Sequence, residues 1–283
     1  MTGSAYAYAK VNIGLQILGK RTDGFHDINS IFVAVDLADQ IEIDTATSQI
    51  SVDCTPNVTT NQESNLAFIA AAKLRQALQQ PTLGANIQIS KRIPAGAGLG
   101  GGSSNAATTL LLLQKLWPNV STQLIESIAP EIGSDVPFFI KNGVAAVSGR
   151  GEVVSPLAIT LPWYFLLVVP NIHADTTQAY STLGITQHKV PFELASELVH
   201  SFDNQQLNPI VFNNDFETSL FAQYPLLSTL KHELINNGAV FASMSGSGST
   251  VYGLYTNVDN AMAAESVVNT NHAGLKTYIC RPI

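Results

Sequence analysis

Residues 94–107 read Pro-Ala-Gly-Ala-Gly-Leu-Gly-Gly-Gly-Ser-Ser-Asn-Ala-Ala, and five of the chain's 20 glycines fall in the eleven residues from Pro94 to Ser104. No helix or strand absorbs glycine at that density, so the segment must be a turn with backbone conformations closed to other residues. It stands between Ala85–Ser90, which reads as a short strand with Ile87 and Ile89 on one face, and Ser103–Trp117, which reads as a helix closed by Pro118. In a strand–glycine turn–helix, backbone N–H groups can face a ligand that approaches without meeting a Cβ. The helix start adds unpaired N–H groups and the positive end of its dipole. Ser103 and Ser104 add hydroxyls for phosphate oxygens or a metal. The pattern suits a polyphosphate. It is not a Walker loop, because no Lys-Ser/Thr follows the last glycine. Nor does an acidic residue end a second strand some 20 residues later, as a dinucleotide fold requires. A glycine-rich turn with no ligand is the plain alternative.

Composition narrows the classes around this turn. The chain has 283 residues, 46% hydrophobic and 12% charged, which allows a sizeable core. Its net charge is −7, with no block of five or more Lys/Arg, so no general nucleic-acid surface is expected, and only a local cationic pocket is left open. The strongly apolar runs, such as Leu110–Leu113 and Phe165–Val169, are far shorter than the roughly 18 residues of a membrane helix. Met1–Lys10 has no basic segment leading into an apolar one, so no secretory signal is expected. Cys54 and Cys280 have no C-x-x-C partner, which fits a reducing, cytoplasmic setting and argues against a disulfide framework or a cysteine zinc site.

Periodicity predicts an α+β chain in two domains. Strands are expected over Ala7–Leu18 and Ser30–Ile43, a helix over Leu66–Leu78, and a strand over Val144–Ser148 followed by a Gly149-Arg150-Gly151 turn. The pattern restarts with a strand at Trp163–Val169. Helical segments around Pro191–His200 and Pro225–Asn236 follow, then strands at Val240–Ser243 and Thr250–Tyr255 and a helix near Asn260–Val268. The boundary is placed between Ser155 and Pro162, giving domains 1–160 and 161–283.

Four further segments carry polar groups in unusual places. Ala9-Lys10-Val11-Asn12-Ile13 puts Lys10 and Asn12 on one face of an otherwise apolar strand. The ammonium there either reaches solvent from an edge strand, or holds a carboxylate ionised and offsets charge on a transferring phosphoryl group. Asp23-Gly24-Phe25-His26 is a turn leading into an aromatic–His pair, and none of the six histidines shows metal-ligand spacing. Gly133-Ser134-Asp135-Val136-Pro137-Phe138-Phe139 holds a carboxylate between a helix end and a hydrophobic strand. That carboxylate either makes a local turn or needs a buried partner, for which Lys10 is the natural candidate. Met244-Ser-Gly-Ser-Gly-Ser-Thr-Val-Tyr252 is a second turn of small residues between strands.

Pro94–Ala107 resembles the phosphate-binding motif of the GHMP kinase superfamily, and its triple glycine resembles the branch acting on a cytidine diphosphate-linked methylerythritol. Ala9–Leu15, Asp23–His26, Gly133–Pro137 and Met244–Tyr252 resemble that superfamily's other motifs, in the expected order. The resemblance implies an N-terminal ATP-binding domain of the ribosomal-protein-S5 type, a ferredoxin-like C-terminal domain, and an active site in the cleft between them. It implies transfer of the γ-phosphoryl of ATP, with Mg²⁺, to the 2-hydroxyl of 4-diphosphocytidyl-2-C-methyl-D-erythritol, a step toward isoprenoid precursors by the non-mevalonate route. Asp135 would be the base and Lys10 its partner. The loop Pro94, Ala95, Gly96, Ala97, Gly98, Leu99, Gly100, Gly101, Gly102, Ser103 and Ser104 would bind the triphosphate. Asn65 and Lys91 match adenine positions, Lys91 through its backbone. Asn12, Phe25, His26, Thr177 and Tyr180 would meet the acceptor, the last two within Asp175–Tyr180. Phe25 stands where the branch usually has tyrosine, and Ser134 where it has alanine. The second turn would pack against the first. No residue presents itself as a metal ligand. The implied partner is a small molecule, with no nucleic acid or membrane, in a monomer or homodimer.

Three other readings share the fold: a kinase for another alcohol such as mevalonate or homoserine, a silent nucleotide sensor, and an ATP-consuming decarboxylase. The Phe25-His26 pair disfavours the first and third, and the retention of both Lys10 and Asp135 disfavours the second.

Overall fold

The structure, a computed structural model, describes residues 1–45, 48–174, 176–183, 189–204 and 207–283. In chain order its elements are β1 (Thr2–Lys20), β2 (His26–Asp44), β3 (Ile50–Thr55), α1 (Leu66–Ala77), β4 (Ala85–Ser90), α2 (Gly101–Leu116), α3 (Thr122–Ile132), α4 (Val136–Lys141), β5 (Val144–Ser148), β6 (Val153–Pro156), β7 (Tyr164–Val169), α5 (Thr176–Thr182), α6 (Leu194–Asn204), α7 (Glu217–Gln223), α8 (Pro225–Asn236), β8 (Phe241–Met244), β9 (Val251–Tyr255), α9 (Val258–Asn271) and β10 (Lys276–Cys280). They condense into two compact units: Met1–Ala9, Leu37–Ala95 and Gly100–Asn142 in the first, and Lys10–Asp36, Gly96–Leu99 and Gly143–Ile283 in the second. The strands β1 and β2, which pair with each other, each contribute to both.

In the first unit β3 and β4 run parallel, from Ile50↔Ala85 to Thr55↔Ser90, with α1 as the crossover helix. The far half of β2 pairs antiparallel with β4, from Gln40↔Ser90 to Asp44↔Asn86. The Asn65 side chain starts α1 by accepting from Ala67 N at 3.0 Å. That helix buries Leu74 along with Ala67, Ala70 and Ala71, small residues that allow close approach to α2. Facing them, α2 buries Ala106, Ala107, Leu110 and Leu113.

In the second unit the near half of β2 pairs antiparallel with β5, and β5 with β6. A separate antiparallel sheet has the order β10-β7-β9-β8. With α5 to α8 between β7 and β8, and α9 between β9 and β10, this is the split βαβ arrangement. Phe165, Leu167, Tyr252, Leu254 and Val268 are buried around it.

Two sequence expectations are corrected. Val136–Lys141 is a helix, where a hydrophobic strand was expected after Asp135. Pro137 in the first turn explains it: the ring fixes φ at a helical value and gives up an N–H that has no intrahelical acceptor there. The helix after the glycine loop begins at Gly101 rather than Ser103, so two of the three consecutive glycines are already helical. Gln205-Gln206, read as loop, lies outside the described residues, as does Asp175.

Candidate active site

The glycine loop alternates conformations. Gly96, Gly98 and Gly100 have φ of 65°, 77° and 69°, while Ala97 and Leu99 between them are buried. Such alternation turns successive N–H groups toward one side and makes an anion-binding concavity. Gly98 has a second constraint, since a Cβ there would lie 2.1 Å from the carbonyl oxygen of Ser245. Around it, Ser245 Oγ donates to Gly98 O at 3.0 Å, Thr250 N to Ala97 O at 3.2 Å, and Lys10 N to Leu99 O at 3.0 Å. The middle of the first glycine turn is thus laced to the second turn, residues 244–250, as the resemblance implied. Gly100 then caps α2 with no side-chain bond, and the ladder starts with Ser104 N donating to Gly100 O at 2.9 Å. The N–H groups of Gly101, Gly102 and Ser103 therefore come ahead of the helical ladder, at the positive end of a 16-residue helix. Ser103 is half-buried, whereas the Ser104 side chain is enclosed at 1% exposure. Pro94 is half-buried and Ala95 exposed on the way in.

Lys10 is only 4% exposed, which removes the solvent-facing reading of its ammonium. Nζ donates to Asn12 Oδ1 at 2.5 Å and sits 4.5 Å from the Phe32 ring centroid. Asn12, also buried, is held at every polar atom: Nδ2 donates to Ser30 Oγ, the backbone N donates to Ser245 Oγ at 3.3 Å, and the carbonyl accepts from Tyr252 OH at 2.8 Å. Burial, with Glu217 adding to it, pushes the Tyr252 hydroxyl well above its ordinary value, so it stays protonated and donating. An ammonium on such a rigid shelf loses little freedom when it meets an anion.

Asp135 belongs to the first unit and Lys10 to the second. Asp135 stands at the N-cap position of α4, half-buried, with helical φ and ψ of −84° and −10°, and its carboxylate makes no capping bond.

In the second unit the turn 21–25 presents Phe25 at 49% exposure, unusual for so large an apolar ring, with the Arg150 guanidinium 4.9 Å from its centroid. His26 stacks on Tyr180, centroids 4.7 Å apart and planes 18° from parallel, and Tyr180 meets Phe216 edge-on. Burial, with the Lys20 ammonium adding to it, lowers the His26 imidazole from its ordinary value. The neutral ring so favoured carries one N–H donor and one acceptor, a match for a polar heterocycle edge. Thr177 is exposed on α5, and its neighbour Thr176 shares a 2.8 Å hydroxyl contact with Ser247 of the second turn.

Asn65 and Lys91 both lie in the first unit with their side chains engaged. Asn65 caps α1, and Lys91 Nζ is bonded to Asp39 and Asn105. Only the Lys91 backbone is left to meet a ligand, and its N–H already donates to Thr55 O at 2.8 Å. Sequence reading missed two buried carboxylates. Asp39, 0% exposed, accepts from Lys91, Asn105 and the N–H groups of Arg92 and Ile93. Glu217 accepts from Ser243 Oγ, Met244 N and Lys231 beside the second turn. The signal for Asp39 was an acidic residue among buried strand positions, between Ala38 and Ile41.

Comparison with known proteins agrees with this geometry. The family model of the GHMP kinase N-terminal domain matches residues 65–143 and that of the C-terminal domain residues 194–274. A 4-diphosphocytidyl-2-C-methyl-D-erythritol kinase of Azobacteroides pseudotrichonymphae is 40% identical over 89% of this chain and 92% of its own length. One from Prosthecochloris aestuarii is 38% identical over 95% of each chain. A crystal structure of 4-(cytidine 5'-diphospho)-2C-methyl-D-erythritol kinase superposes with a TM-score of 0.83 at 30% identity, covering 99% of this chain and all of that one. A homoserine kinase from Cytophaga hutchinsonii, at 17% identity and a TM-score of 0.77, shares the fold. The glycine cradle, the buried lysine and these matches over nearly the full length place the chain in the GHMP kinases, in the family of 4-diphosphocytidyl-2-C-methyl-D-erythritol kinases.

Proposed function

We propose that the protein phosphorylates the 2-hydroxyl of 4-diphosphocytidyl-2-C-methyl-D-erythritol with ATP, giving the 2-phosphate and ADP in non-mevalonate isoprenoid precursor synthesis. The observation that carries the reading is the run of left-handed glycines, Gly96, Gly98 and Gly100, leading into a helix start without a side-chain cap. It is suited to a triphosphate, and GHMP kinases use ATP as phosphoryl donor. The acceptor is taken from the relatives' names and is supported by Phe25, His26 and Tyr180, which offer flat faces and a neutral imidazole to a pyrimidine.

In the proposed step Asp135 accepts the proton of the 2-hydroxyl. The freed oxygen attacks the γ-phosphorus, and the bond to the β-phosphate oxygen breaks as ADP leaves. Lys10 orients the hydroxyl and offsets charge on the phosphoryl group in transfer, while Asn12 fixes Lys10. Gly96–Ser104 hold the phosphates, Ser104 through its backbone, and Asn65 and the Lys91 backbone border the adenine. Thr177 borders the acceptor. No group of three or more potential metal-ligating side chains occurs among the described residues. A Mg²⁺ bound with the triphosphate would be held by the half-buried Ser103 hydroxyl as a protein ligand. When bound, the ion would shield phosphate charge. The reading further holds a boundary near residue 160, a cytoplasmic location, and a monomer or homodimer. Among the described residues no helix is long and apolar enough to cross a membrane.

The test is purified protein with ATP and Mg²⁺ against a panel of this acceptor, mevalonate and homoserine. ADP and a 2-phosphate product are expected with the first alone. Turnover of another alcohol instead, or of none, removes the proposal.

A further inference from the structure

The strand β4 ends at Ser90, opposite Gln40 of β2, and from there the chain turns toward the glycine loop. One position back along β2 stands Asp39, with no exposed side-chain surface. Its Oδ1 accepts from the backbone just ahead of the loop, Arg92 N at 2.7 Å and Ile93 N at 2.8 Å. Its Oδ2 accepts from Asn105 Nδ2 at 2.8 Å, on the first turns of α2 just after the loop, and from the Lys91 ammonium. Lys91 Nζ in turn donates to Asn105 Oδ1 at 3.2 Å. The start of α2 rests directly on this corner, since a Cβ on Gly101 would lie 3.0 Å from Ile93 Cγ2 and 3.2 Å from Lys91 Nζ.

A carboxylate this deep is tolerated only when its lone pairs all meet donors and one donor is a cation. The network meets both conditions and is closed: the Lys91 side chain is 5% exposed, so its ammonium serves Asp39 and not a ligand. What the network does is tie the entry and the exit of the glycine loop to one rigid atom pair. Backbone N–H groups serve an anion well only if they converge before it arrives, because ordering them during binding costs affinity.

We propose that Asp39 is a positioning residue for the nucleotide: it fixes the separation between the β4 exit and the α2 start, and so pre-forms the cradle between them. This rests on the loop being the triphosphate site. It follows that loss of the Asp39 carboxylate weakens ATP and spares the acceptor.

The decisive pair of variants is Asp39→Asn and the double exchange Asp39→Asn/Asn105→Asp. The single change keeps an acceptor for Arg92 N and Ile93 N but turns an amide NH₂ toward two donors. The double exchange returns an acceptor to Lys91 and restores a complementary pair with one negative charge. Asp39→Asn should raise the KM for ATP about tenfold or more, leave the KM for the acceptor within about twofold, and recover most of the loss in the double exchange. Leu74→Ala, a core truncation in α1 outside the network, serves as the control for general destabilisation and should leave the KM for ATP within about twofold. Asn105→Ala, which removes the two bonds on the helix side (to Asp39 and from Lys91) and leaves those from Arg92 N, Ile93 N and Lys91 to Asp39, should raise it about threefold or more and stands in if Asp39→Asn does not fold. A folded Asp39→Asn with wild-type KM for ATP, a double exchange no better than the single change, or an equal ATP defect in Leu74→Ala overturns the proposal. Wild-type protein that does not bind ATP at all overturns the triphosphate reading itself, a result distinct from these.

Discussion

Lys10 is almost fully buried and makes a short bond to Asn12. Asp135 sits at a helix N-cap without capping the helix. Lys10→Met and Asp135→Asn are each expected to fold and to lose kcat by about 10²–10⁴, the range for a positioned acid–base group. Single-turnover rates at saturating ATP, with circular dichroism to verify folding, check this. A variant within about threefold of wild type would remove that residue from the mechanism. At this scale the sequence was readable where a polar residue interrupts an apolar pattern inside a motif, as with Lys10 and Asn12. Asp39 interrupts a strand in the same way, but its partners come from residues 91–105, and nothing in a linear string pairs them.

At the scale of elements, the two glycine turns form one construction. The backbone of 96–99 is bonded to 245–250, and Gly98 fits only because it lacks a side chain. Gly98→Ala faces both a left-handed φ of 77° and a carbonyl oxygen 2.1 Å away, so the turn must shift. Gly24 is also left-handed, φ 88°, yet meets nothing within 4 Å. Gly24→Ala should cost only about 1–2 kcal/mol of stability, the strain of a left-handed residue. Gly98→Ala should cost more than that and also abolish ATP turnover. Chemical denaturation and ADP release on both variants separate the two outcomes; equal stability losses would mean that the contact with Ser245 is slack. Strand and helix identities were mostly legible from periodicity: β4, α2, β5, β7 and β9 fall where alternation or amphipathicity put them. The six residues of α4 were not, because a run of Val, Phe, Phe and Ile reads equally as strand or buried helix until Pro137 is weighed.

For the whole molecule, a net charge of −7 must coexist with an anionic donor and an anionic acceptor. In the proposed reading the first turn meets that charge with backbone N–H groups rather than a cationic patch, since Lys91, the lysine nearest the α2 start by sequence, is engaged by Asp39. Dipoles at contact are little screened, whereas the long-range repulsion of an acidic surface is. Raising KCl from about 20 to about 200 mM should therefore leave the KM for ATP flat or lower it at saturating Mg²⁺. A steep rise would show that a cationic surface does the binding. The division of the chain into units has an effect during synthesis. Met1–Asn142 contains all of the first unit, whereas Lys10–Asp36 belongs to a unit built mainly from Gly143–Ile283. On the ribosome the early apolar strand residues Val11, Ile13, Leu15 and Ile17 must wait for about 130 further residues before the Gly143–Ile283 part of their unit begins to be made, roughly ten seconds or more at usual rates. The newborn protein thus has a long interval in which half of its first hairpin has no core to enter, and it is in that interval, rather than in the finished enzyme, that a chaperone has most to do.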